Sequence, residues 1–277
     1  MFLEQLLKLD SDIYIHVDLK AQNMRNNIRH SNNIHVLSAE NSYDISWGSV
    51  NMVCATLALI NAAKESDIYY DYLWLVSGQD FPIVSAETIS NRLESNNGIN
   101  YIEIIPRGER YDWYKKLYEV AYPNWINRNS VPVKIYKRFY KIITGGNRYT
   151  FPAFRRKKPF DFDFEFGSQW WTLTSEAAYW CLDYCNGHPE YLEYFKKCII
   201  PDECFFQTLY TASPYKNARR TNLTYINWGS NRRSPETLTL NDIDKLLEKR
   251  PKYCIARKFD LNNREVIKVI RDAINGQ

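Results

Sequence analysis

The chain has 277 residues, a formal net charge of +4, 45% hydrophobic residues and 25% charged residues. This balance excludes a disordered or collagen-like protein, and the length suffices for one large α/β domain with a sizeable core.

The longest apolar run, Met52 to Ala63, is shorter than the roughly 20 residues that a membrane span needs. The opening "MFLEQLLKLD" lacks the basic lead of a signal peptide. The six cysteines form no CxxC pair, so we expect reduced, buried thiols of a cytosolic protein.

The N-terminal part of the chain alternates predicted strands with predicted helices. Strands are predicted in "DIYIHVDLK", "NIHVLSAE", "YDYLWLVSGQDFPIVS" and "INYIEII", and helices in "SWGSVNMVCATLALINAAKE" and "AETISNRLESN". This alternation predicts a mostly parallel sheet with helices on both faces and a ligand crevice beyond the carboxyl ends of the strands. We expect His16, Asp18, Ser77 and Asp80 at that crevice.

A basic and aromatic segment follows between Arg107 and Lys158. It contains 14 Lys or Arg, three acids and 12 aromatic residues. Such a mixture could hold single-stranded nucleic acid, an anionic membrane surface or a phosphorylated lipid. A solvated excursion without a binding role explains the same composition equally well.

The C-terminal part resumes the alternation. We predict a strand in "FEFG" that delivers Gly167 and Ser168, and further strands in "NLTYINW" and "KYCIARKFD". Helices are predicted from Ser175, from the Pro-Asp-Glu of "KKCIIPDECFFQTLY", in "TLNDIDKLLEK" with Asn241 as its cap, and in the amphipathic "NREVIKVIRDAI".

Five motifs occur in order over nearly the whole chain: "SWGSVNMVCATLALI", "YLWLVSGQDFPI", "GSQWWTLT", "PDECFFQT" and "ARKFD". Together they resemble the core-2/I-branching β-1,6-N-acetylglucosaminyltransferase family, which also holds xylosyltransferases. The resemblance implies a GT-A-type, Rossmann-like glycosyltransferase fold, a mostly parallel sheet flanked by helices. It also implies a nucleotide-sugar donor, inversion at the anomeric carbon and no metal requirement.

The resemblance assigns the catalytic base to Glu203 of the Pro-Asp-Glu segment. Inverting transfer needs one base that takes the proton of the acceptor hydroxyl as it attacks the sugar. A free glutamate ionises near ~4.3, so the base form is present at neutral pH without a shift of its pKa. Without the resemblance, Asp202 and Glu203 are read as partners of a helix dipole.

The departing nucleoside diphosphate must also be stabilised. After the central strand only Asp80 stands where many GT-A enzymes carry Asp-x-Asp, and one carboxylate is a poor ligand set for Mg²⁺ or Mn²⁺. Fixed cations can stabilise the same charge. The resemblance places them at Arg233 and Lys258, with Arg232 and Arg257 as neighbours that could substitute.

A formal Asp-x-Asp does occur at Asp161 and Asp163 in "DFDFE". It precedes the predicted strand, and alternation puts both acids on one face opposite the phenylalanines, as in a half-buried strand. We therefore expect no metal site there.

The remaining site residues follow from the resemblance alone. Asp18 is expected near the nucleoside and Asp80 near the donor sugar. Trp228 is expected against the acceptor, since an indole face packs well on a sugar ring. The segment "WYKKLYEV" resembles an acceptor-side segment and contains Lys115 and Lys116.

We expect a single glycosyltransferase domain over residues 1–277. Residues 1–105 would form the nucleotide-sugar-binding half, 106–160 the basic aromatic excursion, and 161–277 the acceptor and catalytic half. Members of the resembled family usually begin with one additional strand before the segment that matches here. Either the true start lies upstream, or an exposed sheet edge or an altered donor pocket is expected.

The resulting hypothesis is a metal-independent, inverting glycosyltransferase of bacterial origin. It would transfer N-acetylglucosamine from a UDP donor, in a β-1,6 linkage, to a hydroxyl of a surface polysaccharide. UDP-xylose or another UDP-sugar is the alternative donor, and a nucleic-acid-binding or glycan-binding protein without catalysis is the alternative class. We expect a cytoplasmic protein held at the inner membrane face by its basic segment, a lipid-linked glycan acceptor, no nucleic-acid partner and no cofactor.

Overall fold

The structure is a computed structural model that describes residues 2–29, 31–121, 130–143, 156–229 and 234–275. The α-helices within these ranges are α1 (Phe2–Leu6), α2 (Val50–Lys64), α3 (Ala86–Glu94), α4 (Glu109–Tyr118), α5 (Val131–Ile143), α6 (Ser175–Gly187), α7 (Pro189–Phe195), α8 (Phe205–Ala212), α9 (Ile243–Lys249) and α10 (Arg264–Asn275). The strands are β1 (Ile13–Ile15), β2 (Ile34–Val36), β3 (Tyr72–Trp74), β4 (Asp80–Pro82), β5 (Asn100–Tyr101), β6 (Thr172–Thr174), β7 (Arg219–Arg220), β8 (Thr224–Ile226) and β9 (Ile255–Arg257). Shorter 3-10 segments span Leu19–Asn27, Pro201–Glu203 and Leu240–Asp242.

The described strands form three small sheets. One contains β1 parallel to β2, the second has the order β3-β6-β5-β7, and the third has the order β4-β9-β8. Strand β6 runs antiparallel to both β3 and β5, and β4 runs antiparallel to β9, whereas β5–β7 and β8–β9 are parallel. The predicted α/β architecture is confirmed, but the sheets are mixed rather than mostly parallel. The long connection from β5 to β6 carries α4 and α5, so the chain can return and insert β6 in the opposite direction between β3 and β5.

Helix α2 shows how the sequence sets the packing. Its buried residues include Val53, Leu57 and Ile60, which recur at intervals of three and four and therefore lie on one face. That face packs against α6 and against the 3-10 turn that holds Glu203. The N-terminus of α6 is capped by Thr174, whose hydroxyl accepts a hydrogen bond of 3.3 Å from the backbone N–H of Ala177.

Two of the predicted elements differ in detail from the elements that the structure shows. Residues 164–168 form no strand, although Phe164 and Phe166 are buried as their alternation predicted. Strand β6, which starts later at Thr172, occupies the space between β3 and β5. The 3-10 segment Leu240–Asp242, which precedes α9, is capped by Thr239 rather than by Asn241, and the carboxylate of Asp242 accepts the backbone N–H of Thr239 at 2.8 Å. Helix α9 itself begins at Ile243, directly after Asp242.

Two large clusters of buried side chains form most of the core within the described residues, and Val120 packs separately against Ile199. The first surrounds α2, α6, α7, α8 and the phenylalanines that precede β6, and the second surrounds β4, β9, α9 and α10. All six cysteines are free thiols, of which Cys54 is half-buried and the others are buried. No helix in the described ranges has the length and apolar character needed to cross a bilayer.

An apolar cavity of about 610 Å³ lies beside β1 and β3. Residues of both strands line it, including Tyr14 and Leu73. Within the described residues, β1 pairs only with β2, and β3 pairs only with β6, so no pairing joins the two strands across this cavity.

Candidate active site

A second cavity, of about 740 Å³, contains the candidate base, Glu203. It lies between α4, the segment that follows Phe166, the turn at Glu203 and the loop that follows β8. The lining residues are Glu103, Ile105, Arg110, Tyr114, Gly167, Ser168, Glu203, Ile226, Asn227, Trp228, Gly229 and Lys245. Carboxylates, cations and an indole ring therefore meet in one cleft.

The turn that carries Glu203 is held from several sides. Its preceding residue, Ile200, adopts the left-handed conformation at φ 51°, which a β-branched residue rarely does. The backbone N–H of Ile200 donates to the carbonyl oxygen of Gly48 at 3.0 Å, and the hydroxyl of Tyr118 donates to the carbonyl oxygen of Ile200. The N–H of Gly167 donates to the carbonyl oxygen of Glu203 at 3.0 Å. These contacts fix the backbone of the turn against α2, α4 and the segment before β6.

The sequence context predicted that Glu203 lies in the first turn of an α-helix, but the structure does not place it there. Pro201–Glu203 form a 3-10 turn, and α8 begins two residues later at Phe205. Cys204 separates the two elements with non-helical backbone angles. The two acids therefore lie directly before α8 and not within its first turn.

The carboxyl group of Glu203 is buried in the cleft, and burial alters its acidity. Loss of solvent raises the pKa of Glu203 to about 7, and the carboxylates of Asp202 and Glu103 add to the rise. The guanidinium of Arg110 and a hydrogen bond with Tyr114 lower that pKa in part. A free glutamate ionises near ~4.3, so enclosure in the cleft brings the pKa of this carboxyl much closer to neutrality. A pKa near neutrality suits a group that accepts a proton at neutral pH.

Asp202 lies next to the base and is itself buried. Loss of solvent raises the pKa of Asp202 to about 6. Its Oδ1 atom has no hydrogen-bond partner within the part of the chain that the structure describes. The carboxylate charge of Asp202 is thus poorly solvated, and it acts on Glu203 through space.

The segment beside Glu203 requires a glycine at position 167. A Cβ atom on Gly167 would lie 1.9 Å from the carbonyl oxygen of Glu103, far inside van der Waals contact. The carboxylate of Glu103 accepts the backbone N–H of Ser168 at 3.0 Å, and the side-chain amide of Gln207 donates to the carbonyl oxygen of Ser168 at 2.6 Å. Gly167 therefore lets two backbones approach closely beside the base.

The model of the core-2/I-branching enzyme family matches residues 2–248. The chain belongs to the core-2/I-branching enzyme family. It is therefore a glycosyltransferase, and its mixed α/β structure is consistent with the GT-A-like fold of that family. Membership implies a sugar donor and a glycan acceptor. A comparison with curated proteins gave no match.

In this glycosyltransferase, Trp228 lines the same cleft as Glu203, and its side chain is 42% exposed. Lys115 and Lys116 lie on α4 but do not line the cleft. The cleft is lined instead by Arg110 and Tyr114, which are four residues apart and so share one face of α4. The sequence analysis did not select Arg110 and Tyr114, and their spacing of four residues on α4 is the signal that could have identified them.

Asp80 and Arg257 form a buried pair that does not line the cleft, although Arg257 is paired across β8 and β9 with the lining residue Ile226. The Oδ atoms of Asp80 accept the N–H and hydroxyl of Ser77 at 2.9 and 3.0 Å, and Nε of Arg257 lies 3.5 Å from Oδ1 of Asp80. Burial raises the pKa of Asp80, which the Arg257 charge opposes. The guanidinium of Arg257 stacks on Trp170 at 3.7 Å from the ring centroid. Lys258 is half-buried, and its carbonyl oxygen accepts the N–H of Leu238 at 2.9 Å.

Asp18 caps the 3-10 segment that follows β1. Its carboxylate accepts the backbone N–H groups of Lys20 at 2.9 Å and Ile45 at 3.4 Å, and it does not line the cleft of Glu203. The remaining predicted cation, Arg233, and its neighbour Arg232 lie outside the described residues. Of the predicted site residues, the structure brings Glu203 and Trp228 into one cavity.

Asp161 and Asp163 have exposed side chains, as their alternation predicted. Asp163 lies 3.6 Å from Arg107 and 3.9 Å from Lys158, so the acid forms surface ion pairs. Among the residues that the structure describes, no three His, Cys, Asp or Glu side chains form a group that could hold a metal ion.

Proposed function

We propose that this glycosyltransferase inverts the anomeric configuration and moves N-acetylglucosamine from a UDP donor, in a β-1,6 linkage, to a glycan hydroxyl. The observation that carries this proposal is the enclosed carboxyl of Glu203, with its pKa of about 7, in a cleft that also presents the face of Trp228. UDP-xylose or another UDP-sugar remains the alternative donor.

The proposed reaction is a single displacement. The carboxylate of Glu203 takes the proton of the acceptor hydroxyl, whose oxygen forms a bond to the anomeric carbon while the bond between that carbon and UDP breaks. The electron pair of the broken bond leaves with the diphosphate. Because the nucleophile and the leaving group occupy opposite faces of the sugar, an α-linked donor gives a β-linked product. Trp228 is proposed to hold the acceptor sugar against the base.

We propose that fixed cations rather than a metal ion stabilise the departing diphosphate. Arg233 and Lys258 are the proposed pair, with Arg232 and Arg257 as neighbouring alternatives. The chemistry around Asp80 supports this proposal, because its carboxylate is already engaged by Ser77 and Arg257 and does not offer a free set of oxygen ligands. Buried Nη1 of Arg257 has no hydrogen-bond partner within the described part of the chain, as expected of a donor that a ligand oxygen would complete.

The donor and acceptor sides are proposed to follow the family pattern. Asp18 would lie toward the nucleoside and Asp80 toward the donor sugar, with Lys115 and Lys116 on the acceptor side. The acceptor is proposed to be a lipid-linked glycan in surface polysaccharide synthesis, at the cytoplasmic face of a membrane. The 14 cations between Arg107 and Lys158 support an encounter with an anionic surface.

The proposal is tested by incubating the enzyme with a panel of UDP-sugars and glycan acceptors, with and without EDTA. The product linkage and anomeric configuration are then read by NMR. We expect a β-linked N-acetylglucosamine product and the same rate under chelation. An α-linked product, or turnover that stops with EDTA and returns on adding Mn²⁺, would contradict the mechanism. Saturable glycan binding without any turnover would instead indicate a binding protein.

A further inference from the structure

Helix α5 turns an apolar stripe toward solvent. Val131, Ile135, Phe139 and Ile142 are between 63% and 71% exposed. Their spacing of four, four and three residues places them on one face of the helix. Val133, on the opposite side at 100° per residue, is only 5% exposed. A surface helix normally buries its apolar stripe against the core, so this orientation is reversed.

Positive charge borders the exposed stripe. Lys134 and Arg138 lie one turn apart next to it, and both are exposed. Residues 131–143 contain four Lys or Arg and no acid, and the sequence between Glu119 and Asp161 contains ten Lys or Arg and no acid. Helix α5 therefore combines exposed apolar side chains with an uninterrupted positive charge.

We propose that α5 docks on an anionic membrane surface, with its axis along the surface and its apolar stripe inserted among the lipids. Interfacial helices bind through buried apolar area and through attraction of Lys and Arg to anionic headgroups, and α5 offers both on adjacent faces. The proposed function includes contact with a membrane, and this proposal assigns that contact to α5. It stands independently of glycosyl transfer, because vesicle binding is measured without turnover.

Charge and side-chain type favour a membrane over the other occupants of such a face. Single-stranded nucleic acid is held by cations and stacked aromatic rings, which leaves aliphatic Val131, Ile135 and Ile142 without a role. A second copy of the chain would bring two positively charged helices together across the stripe, and like charges repel. An anionic bilayer satisfies the apolar residues and the cations at once.

The test is flotation of the full chain with vesicles of phosphatidylcholine alone or mixed with phosphatidylglycerol. We expect binding only to the mixed vesicles and weaker binding in high salt. The double variant Ile135→Ser with Phe139→Ser should reduce vesicle binding at least about tenfold, since each side chain loses its buried apolar area. Lys134→Glu with Arg138→Glu should abolish the preference for anionic vesicles.

A matched control uses two apolar residues that are exposed elsewhere, as Ile68→Ser with Val269→Ser; this variant should float like the unaltered chain. The α5 variants should keep the thermal unfolding midpoint and turnover on a water-soluble acceptor, which separates this proposal from the proposed function. The proposal is overturned if the unaltered chain does not float, or if the Ile135 and Phe139 variant floats equally well. It is also overturned if that variant instead abolishes a dimer in solution or the binding of single-stranded RNA.

Discussion

The backbone N–H of Gly167 donates a hydrogen bond of 3.0 Å to the carbonyl oxygen of Glu203. This bond ties the turn of the candidate base to a segment that passes against the backbone of Glu103 without a side chain between them. The cleft thus sets the position of Glu203 through its main chain and sets its acidity through burial. Both properties can be altered separately.

Gly167→Ala should disturb the position of the base. The added Cβ would meet the carbonyl oxygen of Glu103 at 1.9 Å, and two backbones cannot separate as easily as a flexible side chain can move. We expect the free energy of unfolding to fall by about 1–3 kcal/mol and turnover to fall with it. Urea denaturation and initial rates measure the two effects.

Gly187→Ala provides the control for this substitution, because an added Cβ at Gly187 has no atom within 4 Å. In the last turn of α6, alanine should leave stability unchanged or slightly higher. Equal losses of stability and turnover in the two variants would show that the close backbone approach at Gly167 does not position the base.

Tyr114→Phe should change the acidity of Glu203 with little change in its position. The hydrogen bond from Tyr114 lowers the pKa of Glu203, so removing it raises that pKa above about 7. The acidic limb of the pH profile of kcat/KM should therefore move to higher pH. Tyr72→Phe is the matched control, because it removes a hydroxyl bonded at 2.9 Å to the carbonyl oxygen of Asn96, away from the cleft. An unmoved limb in Tyr114→Phe would disprove the coupling.

The sequence predicted the elements whose patterns are local. Helices α2 and α10 follow from apolar residues at helical intervals, and the capping hydroxyl of Thr174 lies directly before α6. The direction of β6 could not be predicted, because it depends on how the chain returns after α5. The same limit applies to the site. The motif "PDECFFQT" selected Glu203 as the candidate base, but the rise in its pKa comes from burial in a cleft whose other residues, such as Glu103, lie far away in sequence.

Asp202→Asn should change how stability depends on pH. Burial raises the folded-state pKa of Asp202 to about 6, above an unfolded value near ~3.9. Below the unfolded pKa both states are protonated and the group does not change stability. As pH rises from about 3.9 to about 6, the unfolded chain ionises this carboxyl while the folded protein keeps it protonated, so stability falls, and the loss is complete above about 6. We expect the decrease in the free energy of unfolding between pH 4 and pH 8 to be smaller by about 2–3 kcal/mol in the variant than in the unaltered protein.

Chemical denaturation at both pH values measures this difference, with the exposed Asp161→Asn as the control. Removing the charge of Asp202 should also lower the pKa of Glu203 and move the acidic limb of the activity profile to lower pH. A variant whose stability falls with pH as steeply as that of the unaltered protein would contradict the assignment.

Trp228→Ala should weaken acceptor binding more than donor binding. The partly exposed indole lines the cleft beside the base, and an aromatic face packs well against a sugar ring. We expect the KM for the glycan acceptor to rise about tenfold while the KM for the UDP-sugar changes little. Tyr69→Ala removes an exposed ring that does not line this cleft and should leave both constants unchanged. A rise in the KM for the UDP-sugar alone would indicate that Trp228 contacts the donor and not the acceptor.

The role of Glu203 is tested most directly by comparing turnover and UDP binding in Glu203→Gln. General-base catalysis contributes about 10²–10⁴-fold, so turnover should fall by that factor, while calorimetry should show UDP binding close to that of the unaltered enzyme. Glu190→Gln, an exposed glutamate on α7, should retain full activity. Turnover of Glu203→Gln at the rate of the unaltered enzyme would show that another group takes the acceptor proton.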